Sequence, residues 1–552
     1  MRLRSIAFSV ALVAFVYAAL LALHTPFLRL PYYWDEAGYY IPAALDFYHY
    51  ALLIPQSTLI TGHTPLVPVY LGTLWYVFGF TPLVTRAAML LTAAGTVAAT
   101  YAVGRQIASR EVAAWSAGLV AVSPVFFAQS SLAHLDVTAA LFTTLAVLAL
   151  LRSQSGTKRT LPGFAAAASL AILSKETAVV LVPVAWAAVW ALGWKRRREL
   201  TPGAWGWLLV PLLVLAAWVV YVHHCTGLWA GNREYLQYNL FSTLNPIRIL
   251  LTLLRRLYEL LVAGFNWLLV AAAAAGAWRA VGRKQKAESR TEKADVSSAD
   301  CRLPTADCFS PTPDSRLLIP VFSFLTAGLL AVYLLMLSVV GGAVLPRYLL
   351  PVLPVYYLAL AALIWRLPKP WARGILTMAA ACLVSAWFIN PPSPFPYEDN
   401  LSYADFIKLH QQAAAFLERQ PGQPRILTAW PASDELVQPD LGYVDAPLRV
   451  EPLGGFEADD FAPVHPDSFD LLYLYSRKWE PPHNWLDRSP WLRRLGKHYF
   501  DYSTQVRENA LVGRFHLKLL KQFELGGQWV RIYSCTGGGV GVRGECPIPL
   551  NL

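Results

Sequence analysis

The sequence predicts an α-helical polytopic membrane domain over residues 1–390, followed by a soluble α/β domain over 391–552. Three observations predict it. Hydrophobic residues make up 56% of the chain and charged ones only 15%, where soluble domains carry roughly 25% charge. Apolar runs long enough to cross a bilayer, about 20 residues each, recur as far as residue 389. Beyond Pro391-Pro392-Ser393-Pro394 they cease, and short helix-like and strand-like segments take over.

The apolar runs lie near 6–24, 84–104, 111–129, 137–151, 203–222, 257–278, 317–340, 348–366 and 371–389. The first follows Met1-Arg2-Leu3-Arg4, is too long for a signal-peptide core and lacks a small-residue cleavage site, so it reads as a retained helix. The stretch 161–194 would make a helix of roughly 50 Å, too long for one span. Lys175-Glu176 breaks it, and basic residues flank both ends, so two short helices are expected with Lys175-Glu176 at the outer tip. The stretch 64–80 carries Pro65, Pro68, Gly72 and Gly79 and is expected to lie at the outer surface without spanning. The clusters Arg105/Arg110, Arg152/Lys158/Arg159, Lys195–Arg198, Arg279–Arg290 and Arg366/Lys369/Arg373 then all fall inside. The expectation is about eleven spans in a plasma (inner) membrane, with the N-terminus cytoplasmic and the C-terminal domain extracytoplasmic.

The net charge of +11 is spread as short Lys/Arg clusters between apolar runs, a topogenic pattern that argues against nucleic-acid binding. Twenty Trp, 26 Tyr and 25 Phe suit interfacial belts. Residues 223–256 hold His223-His224, Trp229, Arg248 and Arg255-Arg256, and the second half reads as an amphipathic helix at the interface. Residues 279–316 read as a disordered cytoplasmic linker. In the C-terminal domain a helix is expected over Tyr403–Arg419, and strands over Arg425–Trp430, Asp470–Tyr475 and Gln528–Tyr533. That domain has no Gly-rich phosphate loop. Cys301 and Cys308 lie in the inner linker and should be reduced, whereas Cys535 and Cys546 could pair in an oxidising compartment.

This topology turns Asp35, His63, Asp136, Lys175, the 223–256 segment and Arg347 toward one membrane face. Ionisable residues beside apolar spans are costly and point to function. Five motifs stand in order: Trp34-Asp35-Glu36 after the first helix, Gly62-His63-Thr64-Pro65-Leu66, Ala133-His134-Leu135-Asp136, Ser174-Lys175-Glu176, and Leu345-Pro346-Arg347-Tyr348. Together they resemble the polytopic GT-C-type glycosyltransferases that use lipid-phosphate sugars, which include the protein O-mannosyltransferases and the lipid A aminoarabinose transferases. The resemblance covers roughly residues 1–390 and leaves the C-terminal domain unmatched. Thr64 departs from the family's Pro-Pro pair, and Gly38 stands where aminoarabinose transferases place an Arg, which argues against their substrate pair.

The resemblance implies a membrane glycosyltransferase taking a sugar from a polyprenyl-phosphate donor to an acceptor hydroxyl on the outer face, with inversion. Such a donor already carries a good leaving group. The chain must supply a base for the acceptor and cations for the departing phosphate. Asp35 is the expected base, and Glu36 is a fallback base or a helix-capping acid. His63, Lys175 and Arg347 with Tyr348 are the expected phosphate and lipid-donor contacts. Asp136 is assigned to the acceptor or a divalent metal, or else is an acid favoured at a helix start. His223-His224 lack a spaced carboxylate for a metal. The acceptor is a lipid, a glycan or a protein. The competing reading is a transporter or flippase of lipid-linked sugar, which should carry charges near mid-membrane in paired halves.

Overall fold

The computed structural model describes residues 2–154, 161–193, 202–294, 313–391, 393–480, 489–500 and 505–535. Cys301, Cys308 and Cys546, with the disulfide expected at Cys535, involve positions outside the described residues. The chain divides into two compact units. The first comprises Met1–Arg29, Tyr39–Pro391 and Pro396–Ser402; the second comprises Leu30–Gly38, Pro392–Phe395 and Tyr403–Leu552. The sequence reading put 30–38 in the membrane domain, whereas these residues cluster with the C-terminal unit.

The first unit is helical. Its elements are α1 (Arg2–His24), α2 (Ile41–Tyr50), α3 (Leu66–Phe78) and α4 (Pro82–Ile107). Next come α5 (Arg110–Val122), α6 (Pro124–Gln129), α7 (Leu135–Gln154), α8 (Leu161–Ser174) and α9 (Leu181–Gly193). The remainder are α10 (Pro202–Thr226), α11 (Arg233–Asn239), α12 (Pro246–Leu261), α13 (Asn266–Ala294), α14 (Pro313–Val339), α15 (Leu353–Ile364) and α16 (Lys369–Ser385). Local sequence sets the ends. Thr81 and Ser109 accept from the backbone N–H of Val84 and Val112, capping α4 and α5, and Pro82 sits at the first turn of α4.

Among the described residues, six helices are long and apolar enough to cross a membrane: Ala7–Phe27, Pro82–Ile107, Leu135–Ser153, Trp205–Thr226, Leu318–Val339 and Pro346–Ile364. A bent pair, Pro246–Leu261 with Ala263–Arg283, makes a seventh. The other runs of the expected eleven form shorter or interrupted helices. The run 111–129 breaks at Ser123-Pro124, because proline cannot donate to the preceding turn. The run 257–278 crosses a 47° bend where Gly264 takes φ +57°. The stretch 161–194 is two short helices that part at Lys175, and α3 has only 13 residues, about 20 Å. α13 continues to Ala294, into the stretch read as the linker, and 295–312 lie outside the described residues.

The second unit is built on one mixed sheet of five strands: β1 (Ile426–Ala429), β2 (Val450–Leu453), β3 (Leu471–Tyr475), β4 (Leu517–Leu525) and β5 (Gln528–Cys535). Their order is β2-β1-β3-β5-β4. β1 runs parallel to β2 and β3, while β5 pairs antiparallel with β3 and β4. The helix α17 (Ser402–Glu418) buries Phe406, Ile407, His410, Ala413 and Ala414 along one stripe. Phe406 stacks on His410 (3.8 Å between ring centroids), which meets Tyr475 edge-on at 4.6 Å, so α17 covers the sheet through aromatics.

Candidate active site

The loop after α1 belongs to the second unit and is gripped there. The Tyr443 hydroxyl donates to the Tyr32 carbonyl (3.0 Å), and Tyr32 N–H donates to the Leu441 carbonyl (3.2 Å). Trp34 adopts φ +46°, a conformation bulky residues rarely take, and its ring packs edge-on against Trp430 and Phe406 at 5.2 and 5.6 Å. Asp35 follows at once and is half-buried. Glu36 is fully buried, and its Oε2 accepts the Tyr33 N–H at 2.8 Å, closing the turn that opens a π-helical stretch, Glu36–Tyr40. Glu36 therefore has a capping bond, and Asp35 is the more accessible of the two carboxylates. A Cβ on Gly38 would come within 2.8 Å of the Trp430 ring, so the arginine of the aminoarabinose pattern has no room in this packing.

Inside the first unit, four sequence-distant segments meet. Lys175 sits in the extended break between α8 and the turn Glu176–Val180, so its side chain leaves both short helices. It is 6% exposed, lies 2.7 Å from Asp136 Oδ1 and sits 3.9 Å over the Tyr348 ring. Asp136 is the second residue of α7, where the helix dipole favours a carboxylate. Arg347, on the tight turn Pro346–Val352, is 1% exposed. Its Nη1 donates to Glu398 Oε2 at 2.7 Å, its Nε lies 3.7 Å from Asp136 Oδ2, and its Nη1 is 2.9 Å from His134 Nδ1. His134 lies just before α7; burial, then Arg347, Arg86 and Lys175, hold its imidazole well below the usual range.

His63 joins the same group from another direction. Its Nδ1 lies 3.1 Å from Glu176 Oε2, its Nε2 lies 3.3 Å from the Tyr235 hydroxyl, and Tyr40 stands within 6.2 Å of it and 5.7 Å of His134, centroid to centroid. Gly62 makes this approach feasible, with φ +75° and the Ala230 backbone 2.8 Å from where a Cβ would be. Thr64, the departure from the family pattern, has a job here. It is buried, and its hydroxyl donates to the Ile172 carbonyl (2.8 Å), an acceptor left open by the end of α8. That bond ties the His63 loop to the turn carrying Lys175.

The structure thus gathers His63, Lys175, Arg347, Tyr348 and Asp136, while Asp35 and Glu36 lie in the other unit. It adds residues the sequence reading did not assign: Tyr40, Glu176, Glu398, Tyr235 and Arg256. Arg256 comes from α12, whose buried stripe is Arg248, Thr252, Arg256 and Leu260 while Leu250, Leu254 and Tyr258 are exposed. A helix that hides arginines and shows leucines is arranged for a lipid surround, and the four-residue spacing of Arg248, Thr252 and Arg256 is its signal in the sequence. Arg256 bonds the Leu345 carbonyl (2.6 Å) and Glu259 (2.9 Å). Its guanidinium lies 5.6 Å from the Tyr348 centroid, and its buried Nε has no hydrogen-bond partner among the described residues.

Asp136 does not fit a divalent metal. Its two oxygens face Lys175 and Arg347, and among the described residues no group of three His, Cys, Asp or Glu side chains is placed to hold one. The cations of the cluster are the groups available to an anion, with the acids holding them in place.

Residues 62–221 match the family model described as dolichyl-phosphate-mannose-protein mannosyltransferase. That stretch contains His63, Asp136 and Lys175. The chain is similar in structure to ArnT from Cupriavidus metallidurans bound to undecaprenyl phosphate, at a TM-score of 0.53 and 13% identity over 96% of this chain and 97% of ArnT. ArnT superposes closely enough to show a shared fold. The archaeal oligosaccharyltransferase AglB from Archaeoglobus fulgidus, in complex with an inhibitory peptide and a dolichol-phosphate, gives a TM-score of 0.43 at 11% identity, over 80% of this chain and 64% of AglB. None of the curated proteins matches the chain in sequence.

Proposed function

We propose that this chain, a multi-pass membrane protein of the GT-C glycosyltransferase type, moves a sugar from a polyprenyl-phosphate donor to an acceptor hydroxyl at the outer membrane face. The observation that carries the reading is the convergence of Lys175, His63 and the neighbours Arg347 and Tyr348, from three distant segments, on one buried ionic cluster. Undecaprenyl phosphate in ArnT supports a lipid of that class as the leaving group.

The acceptor oxygen attacks the anomeric carbon as the bond from that carbon to the phosphate oxygen breaks, and the electron pair leaves on the phosphate. Asp35 takes the acceptor proton, and attack opposite the leaving group inverts the centre. Lys175, Arg347, His63 and the open Nε of Arg256 receive the growing phosphate charge. Their fixed partners mean that little reorganisation is needed at the moment of reaction. Asp136 acts as a positioning residue for Lys175 and Arg347 rather than as an acceptor contact. Glu36 holds the turn that presents Asp35.

The test uses the purified full chain with a radiolabelled polyprenyl-phosphate sugar. Asp35→Asn should abolish transfer while polyprenyl-phosphate binding persists, and Arg347→Gln should weaken that binding. Full transfer by Asp35→Asn would remove the assigned base, and absence of lipid-phosphate binding by the unaltered chain would remove the donor class.

A further inference from the structure

A second feature lies at the other ends of the helices that build the cluster. A groove of about 730 Å³ opens between α1, α4 and α7, within the roughly 300–1,000 Å³ typical of small-molecule sites. Its sides are apolar, from Leu12 on α1 and from Leu141 and Leu145 on α7. Its floor is a run of small residues on α4, among them Gly95, Ala98 and Ala102, which keeps the groove deep. Three arginines line its mouth: Arg105 near the end of α4, Arg110 at the start of α5 and Arg152 near the end of α7. All three are exposed, and among the described residues no Asp or Glu lines the groove.

Helix geometry fixes where this lies. On α4, Arg86 bonds the Ser131 carbonyl beside the ionic cluster, and Arg105 follows about 28 Å further along the axis. On α7, Asp136 and Arg152 are separated by about 24 Å. Those lengths approach the roughly 30 Å of a hydrocarbon core, so the groove opens at the membrane face opposite the cluster. Helix dipoles account for cations at the ends of α4 and α7, but they disfavour Arg110 at the beginning of α5. A purely topogenic role for the three would need no groove behind them.

We propose that this groove binds a phospholipid with an anionic headgroup from the leaflet opposite the ionic cluster, its phosphate between Arg105, Arg110 and Arg152 and its acyl chains against α1 and α7. A flat apolar surface would take any annular lipid. A recess lined by three guanidiniums, with no acid among its described lining residues, discriminates by charge. The site is separate from the donor phosphate site and holds a lipid that is not consumed.

The test is native mass spectrometry of the full chain taken from bilayers of phosphatidylcholine containing phosphatidylglycerol. The unaltered chain should retain phosphatidylglycerol in preference to phosphatidylcholine. Arg105→Gln/Arg152→Gln should weaken that retention roughly ten- to thirtyfold, at about one surface-cation contribution per arginine. Ala98→Leu, which fills the floor and leaves every charge, should also reduce it and serves as the second arm if the double variant fails to fold. Equal retention of both lipids by the unaltered chain would overturn the proposal, as would unchanged retention by Ala98→Leu. Displacement by inorganic phosphate would make it a free-anion site and overturn the lipid assignment.

Discussion

Lys175 Nζ lies 2.7 Å from Asp136 Oδ1, with the lysine side chain 7% and the aspartate 2% exposed. The two come from the tip between short helices and the first turn of α7, so the pair joins elements 39 positions apart. Removing one member leaves an uncompensated buried charge, which costs about 3–5 kcal/mol, whereas replacing both by neutral groups is often close to neutral. Lys175→Met should therefore lower the Tm of the detergent-solubilised chain strongly, and Lys175→Met/Asp136→Leu should recover most of it. Transfer should stay lost in the double variant. Recovery of both stability and transfer would show that the pair serves packing alone.

Thr64 makes a narrower claim. Its buried hydroxyl donates to the Ile172 carbonyl at 2.8 Å, three residues before Lys175. Thr64→Val keeps the shape and deletes the bond, leaving a buried carbonyl without that donor, at about 1–3 kcal/mol. A measurable fall in Tm is expected, with a larger rise in KM for the lipid donor than fall in kcat, because the loop positions His63 without touching the reacting atoms. Thr64→Ser should restore both.

These two contacts also explain what the sequence could and could not disclose. Long apolar runs such as those in α4, α7 and α14 declare themselves, because composition alone decides a span. Lys175-Glu176 is legible for the same reason, since a charge pair cannot sit in the middle of a span unpaid for. The break at Gly264 and the one at Ser123-Pro124 were averaged away in runs that stay apolar across them. The central strands β1 and β3 are wholly buried and read as apolar runs. The edge strand β4 is mostly exposed and β2 is half exposed, and Pro452 is tolerated in β2 because an edge needs fewer ladder donors. The partners Glu398 and Arg256 were not legible as site residues. Glu398 is an ordinary charge in sequence, and the spacing of Arg248, Thr252 and Arg256 marks a buried face of α12 without showing what it meets; each becomes a site residue only when Arg347 or Tyr348 folds against it. The grip of Tyr443 on the loop before Asp35 spans 411 positions and has no local signature at all.

Tyr348 lies beneath three cations, with Lys175 at 3.9 Å, Arg347 at 5.5 Å and Arg256 at 5.6 Å from its centroid. A ring face holds a desolvated ammonium by its quadrupole, an interaction of up to about 2 kcal/mol. Tyr348→Phe keeps the face and should keep affinity for the polyprenyl phosphate. Tyr348→Leu removes it and should weaken binding by roughly tenfold. Equal loss in both variants would assign the effect to the hydroxyl.

The C-terminal unit carries a pH-sensitive clasp between β1 and β3. Arg425 N–H donates to Asp470 Oδ2 at 2.7 Å, and its guanidinium reaches both carboxylate oxygens at 3.1 and 3.2 Å. Those bonds hold the Asp470 carboxyl below its usual range against a smaller opposing effect of burial. A carboxyl depressed by folding stabilises the folded state above its unfolded value of about 4, and that contribution disappears as pH falls through the lower folded value. Hydrogen exchange of the full chain, corrected for intrinsic rates, should show the Arg425 and Leu471 amides losing protection below about pH 4. Asp470→Asn should remove most of that pH dependence by making protection low throughout. Because the carboxylate is half exposed, salt should screen the guanidinium contacts and leave the backbone bond, so high ionic strength should shrink the pH step without abolishing it. A step unchanged in Asp470→Asn would place the titration on another group.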